Sequence, residues 1–343
     1  PEFGTRAVID RFTQFAPDVL LHCDGYRYGD KVIDRRAEAR AIIDSLPSLR
    51  LAISVRYLGT GPDEYTELLS HGTYDRYEAV GYDHPIFVLY SSGTTGLPKP
   101  IVHSHVGITV EMLMNHALML DLGPSERLFW FTTTGWMMWN YLVGALTVGA
   151  SIVLFDGSPT HPDPSVLWDV AHETESTVFG ASAGYLVNCK KTRSTPDRGQ
   201  LWQVGSTGSP LPPEGFHWVH DALGDNVIVN SLSGGTDVCS AFVGWNPMVP
   251  DLAGEISAAL LGRQVVALDE RGGVCPPGVQ GELAISTPIP TMPLGFLGDP
   301  SGERYRSAYF DRFPKIRACL DAILVKARER GSASMRFTCR CSP

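Results

Sequence analysis

At 343 residues, 43% hydrophobic and 19% charged, the chain has a globular composition and enough length for two domains or subdomains. Its formal net charge of −9 argues against a nucleic-acid binder, which needs a basic face. No apolar run reaches the length of a membrane span, and the first residues do not read as a secretory leader. The cysteines number seven and are scattered, which suits free thiols in a reducing cytoplasm better than a disulfide framework.

Taken in order, residues 1–5 read as a cloning-site remnant, and residues 6–15 have helical spacing. A short strand is expected over 19–22, a helix over 34–46 and a strand over 51–58. The Gly-, Pro- and Asp-bearing stretch 59–81 reads as a surface excursion. An apolar run at 85–89 leads into Tyr90–Pro100, and Ile101-Val102 follows, giving strand, turn and returning strand. Beyond it come a methionine-rich helix (106–120), strands at 128–132 and 151–155, and helices at 139–148 and 165–173. Strands at 177–179, 201–204 and 227–230, with a helix at 213–223, complete the alternation. Strands alternating with helices predict an α/β fold, a mainly parallel layered sheet with covering helices, over 6–253. Short strands and tight turns over 254–314 predict a small β subdomain. Residues 315–343 carry +5 against −14 for the rest, and are expected to be a basic tail foreign to the preceding sequence, the product of a frame change.

The most informative stretch is YSSGTTGLPKP, residues 90–100. Glycine lets backbone N–H groups approach an anion, hydroxyls add donors, and lysine adds a point charge. Ser91, Ser92, Gly93, Thr94, Thr95, Gly96 and Lys99 are therefore candidates for a polyphosphate grip. The spacing is not that of the Walker loop, because only two residues separate Gly93 from Gly96. Four further stretches follow: TTTGWMMWN (132–140), GSTGSPL (205–211), NSLSGGTD (230–237) and PGVQGEL (277–283).

The eleven-residue string and these four stretches, in this order, resemble the AMP-forming acyl-CoA synthetases of the adenylate-forming superfamily. The resemblance covers most of residues 6–314. It implies ATP, Mg²⁺ and coenzyme A as cofactor and co-substrates, and a small carboxylic acid as substrate. It assigns Trp136, Met137, Met138 and Thr207 to the acyl pocket, and Gly208, Ser209 and Pro210 to adenine. Thr236 would meet phosphate and Asp237 would hold Mg²⁺, a hard cation that prefers oxygen ligands. Acetate-activating members carry a tryptophan where this chain has Gly234, so a roomier pocket is expected. TGWMMWN, DGSP (156–159) and SGGTD look most like the acetoacetate-activating branch, with medium-chain members the near alternative.

Other readings stay open. Gly180-Ala181-Ser182-Ala183-Gly184 fits the G-x-S-x-G nucleophile elbow, which would make Ser182 the nucleophile of an α/β-hydrolase-type esterase. Against it, only His217 and His220 follow the serine. The family's ribose-binding Gly-Asp step has no counterpart after Pro314, and neither does its C-terminal domain. These 343 residues are thus expected to be truncated at both ends, to bind ATP weakly and to form acyl-adenylate poorly. A non-catalytic fragment that keeps the fold is the third reading. Self-association through exposed docking surfaces is a further expectation.

Overall fold

The computed structural model of the chain describes residues 3–59, 61–91, 97–313, 318–329 and 335–341. Its centre is a five-stranded, all-parallel sheet. The strand order is Ile228–Ser231, Gln203–Thr207, Val178–Ser182, Arg127–Trp130, Ser151–Val153. Successive side chains on a strand point to opposite faces, and here both faces are buried. Phe129, Phe179 and Val204 pack against helices Val166–Glu173, Ala183–Lys191 and Pro213–Leu223 through Trp168, Leu186 and Phe216. Leu128 and Trp130 pack on the other side with Met112 of His105–Met114 and Met138, Tyr141 and Leu142 of Met138–Gly144. That double burial is why the strands read as continuous apolar runs.

Trp130 shapes the sheet around itself. A Cβ on Gly180 or Gly205 would sit 2.2 or 2.5 Å from its indole, so both glycines make room for one ring. The first glycine of the G-x-S-x-G pattern thus has a packing explanation.

Residues flanking the glycine-rich turn form the expected hairpin. Pro85–Ser91 pairs antiparallel with Lys99–Ser104, and Gly295–Phe296 adds a third strand on the far edge. The later β region holds an antiparallel sheet of Val265–Leu268, Gln280–Ile285, Ala318–Glu329 and Met335–Cys341, so part of the basic stretch pairs into that sheet. Ile101 and Phe242 pack with Val265 and Leu283. Both sheets and core cross the division expected near residue 253, since Ser240–Gly244 pairs with Ala258–Ala259 and Gly295–Phe296 with Lys99–Ser104.

Some elements differ from expectation. The methionine-rich helix ends as an α-helix at Met114 and continues as a π-helical turn, Asn115–Met119. Asn115 there donates to both the backbone carbonyl and the carboxylate of Glu111. A hairpin of Gly25–Tyr28 and Lys31–Asp34 and a helix Glu64–Ser70 occupy stretches expected to be irregular or helical. The helix start is fixed by Asp63, whose carboxylate accepts from the Thr66 amide and hydroxyl. None of the described helices is long and apolar enough to cross a membrane.

Candidate active site

In open α/β sheets ligands gather beyond the carboxyl ends of the strands. A cavity of about 270 Å³ lies there, at the small end of ligand pockets, which run from about 300 to 1,000 Å³. Trp136, Met137 and Met138 reach it from the turn after Arg127–Trp130. Thr207, Gly208, Ser209 and Pro210 reach it from the end of Gln203–Thr207. Gly234 and Thr236 reach it from the segment after Ile228–Ser231. Three motifs distant in sequence meet around one small space. A larger groove of about 600 Å³ beneath the helix Thr5–Phe15 contains none of the expected site residues.

Local chemistry fixes these turns. The Thr207 hydroxyl donates to the Leu232 carbonyl at 3.0 Å, tying two strand ends together. Gly208 has φ of +84°, a left-handed conformation that favours glycine, and its missing side chain faces Trp136 and Ser182. Ser209 and Pro210 are exposed.

The Asp237 carboxylate, next in the chain to Thr236 of the cavity wall, gathers Lys99 and Tyr309. Lys99 Nζ stands 3.6 Å from its Oδ1, with side chains 28% and 20% exposed. A partly exposed pair of this kind is worth about 0–1 kcal/mol and can rearrange for an incoming anion. The Tyr309 hydroxyl donates to the same oxygen at 2.5 Å, a short, charge-assisted bond. Burial, together with the neighbouring carboxylate, pushes the Tyr309 phenol far above its usual range, so it remains a donor. Lys99 also stands over the rings of Tyr309 and Phe296, 5.6 and 5.9 Å from their centroids. Tyr309 had no assigned role in the sequence. Its signal there was only position within the aromatic stretch after Arg304.

His103, on the strand that begins with Lys99, donates through Nε2 to the Thr236 carbonyl at 3.1 Å. It thereby locks the hairpin Pro85–Ser104 to the Thr236–Asp237 turn. Desolvation holds its pKa down to about 4. Ser91 pairs with Lys99 across the hairpin, and its hydroxyl is buried with no hydrogen-bond partner among the described residues. Ser92, Gly93, Thr94, Thr95 and Gly96 lie outside the described residues.

Two expected residues have structural duties of their own. A Cβ on Gly234 would meet the Ser240 carbonyl oxygen at 2.1 Å and Ala241 Cα at 2.5 Å. Glycine there permits the close antiparallel approach of Ser233–Gly235 and Ser240–Gly244, and it lines the cavity as expected. Ser182, the candidate esterase nucleophile, caps a helix instead. Its hydroxyl accepts the Tyr185 amide at 3.2 Å, and its φ/ψ of −70°/149° is relaxed extended backbone. A nucleophile elbow needs a strained turn with a free hydroxyl. Of the two following histidines, His217 is exposed on Pro213–Leu223.

A hairpin flanking a glycine-rich turn, beside the carboxyl end of a parallel sheet, is the arrangement the motif order led us to expect of the AMP-binding class. The AMP-binding enzyme family matches residues 1–294, and the chain belongs to that family. Among its relatives, an acetoacetyl-coenzyme A synthetase of Rhizobium meliloti (strain 1021) is 41% identical over 331 residues, 92% of this chain and 50% of that protein. The acetoacetyl-CoA synthetase of Gallus gallus is 35% identical over 350 residues, covering 96% of this chain and 52% of that protein. The solved acetoacetyl-CoA synthetase from Streptomyces lividans superposes with a TM-score of 0.92 at 44% identity, over 99% of this chain and 53% of that one. The chain thus spans about half the length of the relatives it matches.

Proposed function

We propose that the cavity and its Lys99–Asp237 rim form an adenylation site for a short-chain acid, acetoacetate, which leaves as its coenzyme A thioester. The carrying observation is the convergence of three strand-end motifs on one cavity, with the Lys99–Asp237 pair next in the chain to Thr236 of its wall. The names of the three relatives supply the acid. In the first half-reaction the acid's carboxylate attacks the α-phosphorus of ATP, forming acyl-adenylate and expelling pyrophosphate. In the second, the thiol of coenzyme A displaces AMP and loses its proton.

The protein's work is positioning and charge neutralisation. In this reading Gly208, Ser209 and Pro210 flank the adenine. Trp136, Met137, Met138 and Thr207 hold the acyl group. Lys99 leaves its loose pair with Asp237 to meet phosphate, joined by Thr236 and by the hairpin turn from Ser91 to Gly96. Among the described residues no cluster of three or more His, Cys, Asp or Glu side chains could cage a metal. A lone Asp237 beside the Thr236 hydroxyl suits Mg²⁺ that takes most of its ligands from phosphates and water. Bound there, Mg²⁺ would offset the charge of the phosphates.

The reducing cytoplasm remains the proposed compartment, supported by Cys23, Cys189, Cys239 and Cys275 as free thiols. Self-association is supported by Val19, Leu21 and Leu51, each about half exposed on a two-stranded parallel sheet. The direct test of function is acetoacetate-dependent release of pyrophosphate from ATP by the purified protein. Release that needs both acetoacetate and Mg²⁺ is expected; hydrolysis of p-nitrophenyl esters with no ATP-dependent chemistry would sink the reading.

A further inference from the structure

The inner wall of the cavity is polar where a hydrocarbon pocket would be sealed with hydrocarbon. Ser240 lines the cavity, and its hydroxyl donates to Glu111 Oε1 at 2.6 Å while accepting from Asn115 Nδ2 and Arg263 Nη2, each at 3.1 Å. Arg263 also pairs with Glu111, with both side chains 1% exposed. Tyr141 lines the same cavity, is 3% exposed overall, and stands near this group. Its ring is held edge-on to Trp130 with centroids 5.7 Å apart, and against His116 at 4.6 Å.

The Tyr141 hydroxyl makes no hydrogen bond to any described residue, and it is not among the buried atoms sealed off without a partner. A hydroxyl that is open to a cavity takes its partner from whatever fills that cavity, water or ligand. Burial and the Glu111 carboxylate both hold the phenol in its protonated form, so it can serve as a donor. Glu111 receives Ser240, Asn115 and Arg263 at Oε1 and no bond from Tyr141. A ligand that fills the cavity can therefore supply the acceptor for Tyr141.

Resting on the adenylation reading, we infer that the Tyr141 hydroxyl donates a hydrogen bond to the 3-oxo oxygen of the acyl group. It thereby selects β-oxo acids over alkyl acids of equal length. The walls contributed by Met137, Met138 and Ile256 cannot make that distinction, because apolar contacts discriminate weakly between near-isosteres whereas a buried donor does so strongly.

The test is calorimetric titration of the intact chain with acetoacetate and with butyrate, each in the presence of AMP, which cannot react with either acid. Wild type should bind acetoacetate more tightly. Tyr141→Phe should weaken acetoacetate roughly fivefold to tenfold, in line with loss of one hydrogen bond, and leave butyrate within about twofold. Retained butyrate binding shows that the variant's pocket is intact. An acetoacetate preference that survives Tyr141→Phe, or an equal loss for both acids, overturns the inference. If wild type binds neither acid, the adenylation reading of the cavity fails, and the inference with it.

Discussion

His103 and His116 are both fully buried imidazoles, and each spends one ring N–H on a backbone carbonyl, of Thr236 and Met112 respectively. Desolvation lowers both from the usual 6.5 of a free imidazole to about 4. The unfolded chain therefore binds more protons than the native one between those two values. Stability should fall as pH drops through that window, by about 1.4 kcal/mol per pH unit for each histidine. Urea midpoints measured at pH 7, 6 and 5 should decline steeply below about 6.5, ahead of most carboxylate titration. A flat profile from pH 7 to 5 would mean the histidines are not buried as described. In sequence neither residue stands out. What marks them is a fold-dependent partner more than a hundred positions away for His103, and burial of the helix face for His116.

At the scale of elements, Ser182 shows how a motif can be legible and still misread. Its five-residue pattern follows a strand and opens a helix, the context an esterase requires. The same residues are also what a helix start requires, and the cap geometry shows which demand is met. Ser182→Ala should cost about 1 kcal/mol of stability through the lost cap. It should leave any trace of ester hydrolysis unchanged; a variant that abolishes such activity without destabilising the fold would restore the hydrolase. The central parallel strands were legible because apolar residues continue on both faces, as with Leu128, Phe129 and Trp130. The hairpin Gly25–Asp34 was not, since Tyr26, Arg27 and Tyr28 carry no alternating apolar signal and the pairing is short. The constraint on Gly234 was equally invisible, because it comes from a strand that pairs with it through the turn at Thr236–Val238.

For the whole molecule, the sequence carried the cavity better than the contacts that hold it. Trp136, Met137, Met138, Thr207, Gly208, Ser209, Pro210, Gly234 and Thr236 were read from three ordered motifs, and all nine line one space. The ties among these parts needed the fold: Tyr309 on Asp237, His103 on Thr236, and the Glu111–Arg263 pair behind Tyr141. Each joins residues from 72 to 152 positions apart, or 133 for His103, distances over which local sequence pattern carries no information. Because the cavity is assembled from so many separate segments, a ligand that fills it should stabilise the folded chain as a unit.

The central claim, that Lys99 and Asp237 form the phosphate rim of a nucleotide site, is tested most directly by the thermal midpoint of this chain across an ATP–Mg²⁺ titration. A ligand of the native state stabilises it by about 2.7 kcal/mol at one hundred times its dissociation constant. The midpoint should rise by a few degrees at millimolar ATP–Mg²⁺, by much less with EDTA present, and hardly at all in Lys99→Ala or Asp237→Asn. No shift at millimolar nucleotide, or the same shift in wild type and both variants, would contradict the account.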